Sequence, residues 1–266
     1  DPVTESFAAT GNSTRPMFGH TATLLKSGQV LLVAGGATAA AELYDPANGT
    51  FTATGDLNYA RTGHTATLLL DGRVLIAAGG TDAAELYDPA NGTFKATGPM
   101  SRVRSAGAVA TRLADGSVLI AGTDSTAEIF DPATGTFALV GELLSGFEGA
   151  TASLRNDGTV LVVAGGSRWV TFYGSCSNPS TGCRWSSRYS RPEVRVTTTV
   201  AQSFAPESLG FTATGSLNAA RNGHTATLLA DGSTVLITGG TQYAASPNFH
   251  PTSAGHTVLS SAELFK

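Results

Sequence analysis

Residues 63–80 read GHTATLLLDGRVLIAAGG, and the stretch returns as GHTATLLKSGQVLLVAGG at 19–36 and as GHTATLLADGSTVLITGG at 223–240. Two weaker copies lie between them, at 107–122 and at 149–166. His20 and His64, at the same position of two copies, are 44 residues apart. A repeat of this length indicates one supersecondary unit that is used five times. Each unit buries its apolar face against its neighbours.

A second phrase follows the copies and completes the unit. It reads AELYDPANGTF from Ala41 and from Ala84, AEIFDPATGTF from Ala127 and AQSFAPESLGF from Ala201. Within a unit, HTATL predicts a first strand, Leu-Asp-Gly a tight turn and the following apolar run a buried second strand. The second phrase predicts two more strands around an Asp-Pro turn. Four antiparallel strands per repeat predict the blade of a β-propeller.

The unit resembles the kelch repeat, and the resemblance covers nearly the whole chain. It rests on the apolar run that ends in Gly-Gly, the aromatic residue of Glu-Leu-Tyr-Asp, and a second aromatic residue seven positions later. The third copy departs from the pattern with a single glycine, Gly122. Phenylalanine stands where kelch repeats often carry Trp, at Phe51, Phe94, Phe137 and Phe211. The resemblance implies an all-β, five-bladed kelch-like propeller that serves as an interaction scaffold.

The two ends of the sequence predict one composite blade. The fifth copy stops at residues 262–266, three strands into a blade, and the N-terminal DPVTESFAATG matches DPANGTFTATG at 45–55. We therefore expect the last blade to contain three C-terminal strands and one N-terminal strand, which leaves no open sheet edge. The whole of residues 1–266 is then a single β-propeller domain. The alternative is a processed piece of a longer array.

Composition limits the function classes. The 266 residues carry 16 Lys and Arg against 20 Asp and Glu, a net charge of −4, and no basic stripe indicates nucleic-acid binding. No run of residues is long and apolar enough to span a membrane.

The two cysteines, Cys176 and Cys183, flank a turn-rich loop. A pair this close in a surface loop predicts a disulfide and an oxidising compartment, so the protein is expected to be extracellular or secreted, in the periplasm or at the cell surface. The alternative is two unbonded thiols in a cytosolic protein. The spacing lacks the second pair or nearby His that a zinc site needs.

Two insertions interrupt the same connection, between the second and third strands, in the fourth and fifth copies. They span residues 167–200 and 241–261 and exceed ordinary hairpin loops. Equivalent connections open on one face of a propeller, so we expect the insertions to be neighbours. RWVTFYG (168–174) and EVRVTTTV (193–200) alternate as the two legs of a long hairpin do.

The first insertion concentrates Trp, Tyr and Arg, the residue types that form binding hot spots. It holds both tryptophans of the chain, and five Arg against the single acid Glu193. Aromatic rings stack on sugars, and guanidinium groups bind carboxylates. The alternative is a structural hairpin that caps the channel of the propeller. The predicted ligand-binding residues are Trp169, Tyr173, Arg184, Trp185, Arg188, Tyr189 and Tyr243.

Three histidines recur at equivalent positions, His20, His64 and His224. Radial repetition would place three imidazoles around one axis, as an open site for Zn or Cu. The favoured interpretation is structural, with each imidazole hydrogen-bonded to a neighbouring strand or to the repeated Glu of the third strand. Arg61 and Arg221 are expected to pair with that Glu and join neighbouring blades. The repeated carboxylates are Glu42, Glu85, Glu128 and Glu263, with Gln202 in the fourth copy.

The sequence therefore predicts a secreted binding module that recognises a glycan or a protein through the aromatic and Arg-rich insertions. No catalytic residue and no cofactor is predicted, because no carboxylate pair, Ser-His-Asp order or nucleophile motif departs from the repeat. One alternative is a metal-dependent enzyme that uses the His ring in the axial channel. Another is a structural subunit of an extracellular layer or fibre. A monomer is favoured over assembly by strand exchange.

Overall fold

The structure, a computed structural model, describes residues 7–36, 38–144, 149–163, 165, 168–171, 193–243 and 256–266. For residues 168–171, 193–196, 243 and 256 it describes the backbone alone. The regular elements in these ranges are β-strands, as the repeat predicts. Within the same ranges no helix has the length and apolar character that a membrane crossing requires.

Five antiparallel sheets follow one another along the chain, one for each copy of the repeat, and we call them blades 1 to 5. Their strands pair in chain order. Blade 1 contains β1 (Phe18–Leu24), β2 (Val30–Gly35), β3 (Ala41–Asp45) and β4 (Thr50–Ala53). Blade 2 contains β5 (His64–Leu68), β6 (Val74–Ala78), β7 (Glu85–Asp88) and β8 (Thr93–Ala96). Blade 3 contains β9 (Val109–Arg112), β10 (Val118–Ala121), β11 (Thr126–Asp131) and β12 (Thr136–Glu142). Blade 4 contains β13 (Thr151–Leu154), β14 (Val160–Val163), β17 (Ala201–Ala205) and β18 (Gly210–Ala213). Blade 5 contains β19 (Thr225–Leu228), β20 (Val235–Thr238) and β23 (Ala262–Phe265).

Blade 2 shows why the repeat forms such a sheet. Its four strands pair in sequence, β5 with β6, β6 with β7 and β7 with β8. The first turn is closed by Asp71, whose carboxylate accepts the backbone N–H of Arg73 at 2.9 Å. Gly72 in that turn has a φ of 96°, which favours glycine. All residues of β6 are buried, as a strand covered on both faces requires.

Two aromatic rings join the outer strands of a blade. Tyr87 on β7 packs against Phe94 on β8, with ring centroids 4.9 Å apart. Such a pair contributes roughly 0.5–1.5 kcal/mol beyond its buried area. Phenylalanine thus makes the cross-strand contact of the blade. The equivalent pairs are Tyr44–Phe51 at 4.8 Å, Phe130–Phe137 at 4.9 Å and Phe204–Phe211 at 5.0 Å.

The chain divides into two compact units. Unit 1 comprises Asp1–Ile120 and Glu128–Leu139, and unit 2 comprises Ala121–Ala127 and Val140–Lys266. In unit 1 one apolar core lies between blades 1 and 2, and another lies between blades 2 and 3. In unit 2 a core lies between blades 4 and 5. Within each unit, neighbouring blades bury their faces on each other, as the repeat predicts.

Blade 5 supplies the three C-terminal strands of the predicted composite blade, in the order β19, β20 and β23. Of its predicted N-terminal strand, residues 1–6 lie outside the described residues, and residues 7–10 are assigned to no strand. Gly11 donates its N–H to Gly49 O at 2.9 Å. One repeat later, Gly55 in the linker between blades 1 and 2 makes the matching hydrogen bond to Gly92 O. The pairing of the two chain ends stays a prediction.

Candidate functional site: the insertion hairpins

Each insertion forms a β-hairpin in unit 2. β15 (Arg168–Thr171) pairs antiparallel with β16 (Glu193–Val196), and β21 (Thr241–Tyr243) pairs with β22 (His256–Val258). β16 and β21 lie against each other. The predicted hairpin of the first insertion is confirmed over residues 168–171 and 193–196. Of the rest of its predicted legs, residues 197–200 belong to no strand and residues 172–174 lie outside the described residues. The two insertions are neighbours, as expected from their shared place in the repeat.

The structure places two of the predicted ligand-binding residues on these hairpins. Trp169 lies on β15 opposite Arg195 of β16, and Tyr243 lies on β21 opposite His256 of β22. The sequence pattern marks Arg195 only as one of five arginines, and the register makes it the cross-strand partner of Trp169. The other predicted binding residues and both cysteines lie outside the described residues: Tyr173, Arg184, Trp185, Arg188, Tyr189, Cys176 and Cys183.

The first insertion leaves unchanged the hydrogen bonds that lie just before the third strand of blade 4. Val200 donates its N–H to Thr198 Oγ1 at 3.1 Å, just as Ala83 donates to Thr81 Oγ1 at 3.0 Å in blade 2. Likewise, the linker residue Leu217 donates its N–H to the carbonyl oxygen of residue 199 at 2.8 Å, as Met100 does to residue 82. Residues 198–200 therefore repeat the short connection of blade 2, and the extra chain is confined to residues 167–197.

A buried ion pair fixes the linker that leads into blade 2. Arg61 Nη2 donates to Glu85 Oε1 at 2.7 Å, and both side chains are fully buried. The other carboxylate oxygen accepts the N–H of Asn58 at 2.8 Å, and Arg61 Nη1 donates to Ala83 O at 2.7 Å. The pair thus joins a linker to the blade that it enters, which corrects the expectation that it joins two blades. Hydrogen bonds at both ends offset the cost of burying the charges.

Blades 3 and 5 repeat this pair. Arg104 Nη2 lies 2.8 Å from Glu128 Oε1, and Arg221 Nη2 lies 2.6 Å from Glu263 Oε1. Sequence reasoning misses Arg104, because one extra residue separates it from Gly107 and breaks the Arg-x-Gly spacing of the other copies. Arg104 lies three residues after Ser101, whose backbone N–H donates to the carboxylate of Glu128. The same spacing separates Asn58 from Arg61 in blade 2, and it is the signal that identifies Arg104.

Blades 1 and 4 lack the arginine. In blade 1, Thr14 donates its N–H to Glu42 Oε2 at 3.1 Å, and Met17 stands three residues later. In blade 4, Leu144 donates its N–H to Gln202 Oε1 at 3.1 Å. Among the described residues, the buried Gln202 Nε2 has no hydrogen-bond partner. A blade therefore forms with or without the ion pair, and the carbonyl or carboxylate oxygen that holds the linker is the common element.

His64 and His224 hydrogen-bond to a strand of the neighbouring blade, as the structural interpretation predicts. Nε2 of His64 lies 2.8 Å from Thr21 Oγ1 on β1, and Nε2 of His224 lies 2.9 Å from Thr151 Oγ1 on β13. Both residues are only 5% exposed. Burial, together with the charge of the adjacent arginine, lowers the pKa of each imidazole to about 4. Both are therefore neutral at pH 7.

A glycine at the end of the second strand makes room for this packing. A Cβ at Gly79 would lie 3.1 Å from the Cβ atoms of both Arg61 and His64, and Gly79 has a φ of 84°. Gly240 has the same role beside the arginine and histidine of blade 5. Another residue at either position would combine backbone strain with close contacts.

His20 has a different environment from its two counterparts, since it is exposed. Nowhere in the described part of the chain do three His, Cys, Asp or Glu side chains group closely enough to hold a metal ion.

Comparison with known proteins supports the fold. No family model matches the chain, and no curated protein matches it. Among solved structures, the structure of YjhT is similar, with a TM-score of 0.58 over 92% of this chain and 76% of that chain, at 12% sequence identity. A likeness at this identity shows the fold alone. Together with the five antiparallel blades, it defines an all-β protein of the five-bladed β-propeller class.

Proposed function

We propose that the protein is an extracellular or secreted binding module that recognises a glycan or a protein through the insertion hairpins. The observation that carries the proposal is the contact between β16 and β21. This contact brings together the two long insertions, which interrupt an otherwise regular repeat. Long loops on a rigid scaffold are a common place for binding residues.

The strands that carry the hairpins support binding because they are paired and anchored within their blades. β14 and β17 stay paired over four residues on either side of the first insertion, from Val160↔Phe204 to Val163↔Ala201. Beneath the second insertion, Glu263 on β23 is held by Arg221. Anchored hairpins lose less conformational entropy when they bind, so more of the contact energy appears as affinity.

The residue types of the hairpins support a ligand with an apolar sugar face or a carboxylate. Trp169 and Arg195 are cross-strand partners, so an aromatic residue and a guanidinium residue share one register position of the β15–β16 hairpin. Aromatic rings stack on the apolar faces of sugars, and guanidinium groups bind carboxylates in a bidentate manner. We propose a disulfide between Cys176 and Cys183 that holds the tip of this hairpin and contributes only about 2 kcal/mol, because the loop that it closes is short.

A glycan array of neutral and acidic oligosaccharides, with an array of extracellular protein domains, tests the proposal. Trp169→Ala should weaken binding to the best probe about 30-fold, the cost of truncating a hot-spot Trp. The matched control is Tyr59→Ala, an exposed aromatic residue outside the insertions, and its affinity should equal that of the parent protein. Equal affinity for the parent and for both Trp169→Ala and Trp185→Ala would contradict the proposal.

A further inference from the structure

The first insertion carries a charge opposite to that of the rest of the chain. Residues 167–200 contain five Arg and one Glu, with neither Lys nor Asp, which gives a net charge of +4. Residues 241–261 contain no Asp, Glu, Lys or Arg. Because the whole chain has a net charge of −4, the residues outside the insertions carry a net charge of −8. The proposed binding site is therefore cationic on an acidic protein, and this separation of charge favours an anionic ligand.

The acids of blades 4 and 5 lie away from the insertions or are already paired. Among the described residues of these blades outside the insertions, they are Asp157, Glu207, Asp231 and Glu263. The first three lie in turns, at the opposite ends of β14, β17 and β20 from the insertions. A strand of four residues is about 13 Å long, which exceeds the Debye length of about 8 Å at physiological salt. Glu263 follows the second insertion, and it is held by Arg221 at 2.6 Å.

The register of the first hairpin places an aromatic and a cationic residue on one face. Trp169 of β15 is the cross-strand partner of Arg195 of β16. Directly opposite residues of an antiparallel pair share a face, with Cβ atoms about 5 Å apart. A sugar that carries an anionic group matches both residue types, because its ring has an apolar face for an indole and its acid binds a guanidinium group. An acidic peptide offers carboxylates without such a ring, so the pair favours a glycan.

We propose that the insertion hairpins bind an anionic polysaccharide, whose carboxylate or sulfate groups are bound by arginine and whose sugar rings stack on tryptophan. This inference rests on the proposed binding function and adds the chemical class of the ligand. Arg168 and Arg195 lie on the two legs of the hairpin at adjacent register positions. Anionic groups that recur along a polymer can therefore engage both legs.

Three dextrans with the same backbone test the role of charge. Neutral dextran, carboxymethyl-dextran and dextran sulfate differ only in the anionic group, and affinity is measured by biolayer interferometry on the immobilised polymer. The protein should bind at least one anionic dextran, and neutral dextran about tenfold more weakly or less. Its affinity should fall about tenfold or more between about 50 mM and about 500 mM NaCl, because salt screens exposed charges. The carboxymethyl and sulfate forms show which anion is preferred.

A matched pair of arginine variants locates the site. Arg195→Gln should weaken binding to the better anionic dextran about tenfold, because charge-assisted hydrogen bonds are lost. The control is Arg102→Gln, which removes the same charge from an exposed position outside the insertions. It should bind with the parent affinity. Circular dichroism that matches the parent establishes that both variants are folded.

Four outcomes would overturn the inference while the proposed binding function stands. One is neutral dextran bound as tightly as the anionic forms, and another is binding that does not respond to NaCl. The third is equal affinity for the parent and Arg195→Gln. The fourth is poly-glutamate bound as tightly as the better anionic dextran, which would indicate an acidic protein partner. Absence of binding to every dextran and to both arrays would instead contradict the binding function itself.

Discussion

Blades 2 and 4 have the same four strands and the same pairing, yet they differ in their interior and in their connection. Blade 2 has a buried Arg61–Glu85 pair and a buried His64, and six residues join its second and third strands. Blade 4 has Gln202 and Ala150 at the matching positions, and residues 167–197 interrupt the same connection. The blade is thus set by apolar strands, turns and aromatic pairs. The buried polar residues affect the stability of the blade. The connection between the second and third strands can differ in length without a change in the blade.

The largest expected effect comes from breaking the ion pair of blade 2. Arg61→Met copies the sequence of blade 1 and leaves Glu85 as a buried charge without its cation. We expect the free energy of unfolding to fall by about 3–5 kcal/mol, measured by urea denaturation. The control is Arg15→Met, which removes an exposed pair with Asp56 at 3.9 Å. It should cost no more than about 1 kcal/mol.

A second substitution sharpens the comparison. Arg61→Met combined with Glu85→Gln gives blade 2 the amide of blade 4, which can still accept the N–H of Asn58. The double variant should be more stable than Arg61→Met alone, because no buried charge remains. Two results would contradict the role assigned to the ion pair. One is a double variant whose loss of unfolding free energy equals the sum of the losses from Arg61→Met and from Glu85→Gln. The other is an Arg61→Met variant that loses no more stability than Arg15→Met.

The next effect is the pH dependence that His64 and His224 introduce and that Ala150 of blade 4 lacks. The folded state holds the pKa of each imidazole at about 4, below the ordinary value of 6.5. The neutral imidazole therefore stabilises the fold fully above pH 6.5, and this contribution is lost as the pH falls towards 4. The loss is on the order of 3 kcal/mol per histidine.

His64→Ala should reduce the slope of the unfolding free energy against pH by the contribution of one histidine. Urea denaturation at pH 4, 5, 6 and 7 measures this slope. Leu139→Ala is the control, because Leu139 is exposed and carries no titratable group, and it should keep the parent slope. An unchanged slope in His64→Ala would show that the buried imidazole is not the titrating group.

The repeat predicted the fold well because its signals are local. The alternating strands, the Asp-Gly or Ser-Gly turns and the glycines that end the second strand act within one blade, and the five sheets follow them. The Arg61–Glu85 pair was predicted with the wrong geometry, and Arg104 was missed. Both involve the linkers, whose path depends on hydrogen bonds between residues that are more than 20 positions apart. The hairpin legs of the insertion were predictable from alternation, whereas its register opposite Arg195 was not.

The smallest expected effect concerns the aromatic pair. Tyr87 OH lies 2.9 Å from Thr54 Oγ1, and blade 4 has Phe204 at the position of Tyr87. Tyr87→Phe removes this hydrogen bond and keeps the ring contact with Phe94, so it should cost about 1 kcal/mol. The measurement is again urea denaturation, beside Phe204→Leu, which removes a buried ring and should cost more. A loss of 3 kcal/mol or more in Tyr87→Phe would mean that the hydroxyl contact with the linker residue Thr54, rather than the ring contact with Phe94, is the main contribution of Tyr87.

The most direct test of the proposed binding function converts the connection of blade 4 into that of blade 2. Deleting residues 167–197 joins Gly166 to Thr198 and leaves Gly-Gly-Thr-Thr-Val-Ala, in register with Gly-Gly-Thr-Asp-Ala-Ala at 79–84. The account predicts a folded protein with the parent melting temperature within a few degrees and no binding on the glycan and protein arrays. A shortened protein that is folded and binds the same probe with the parent affinity would contradict it.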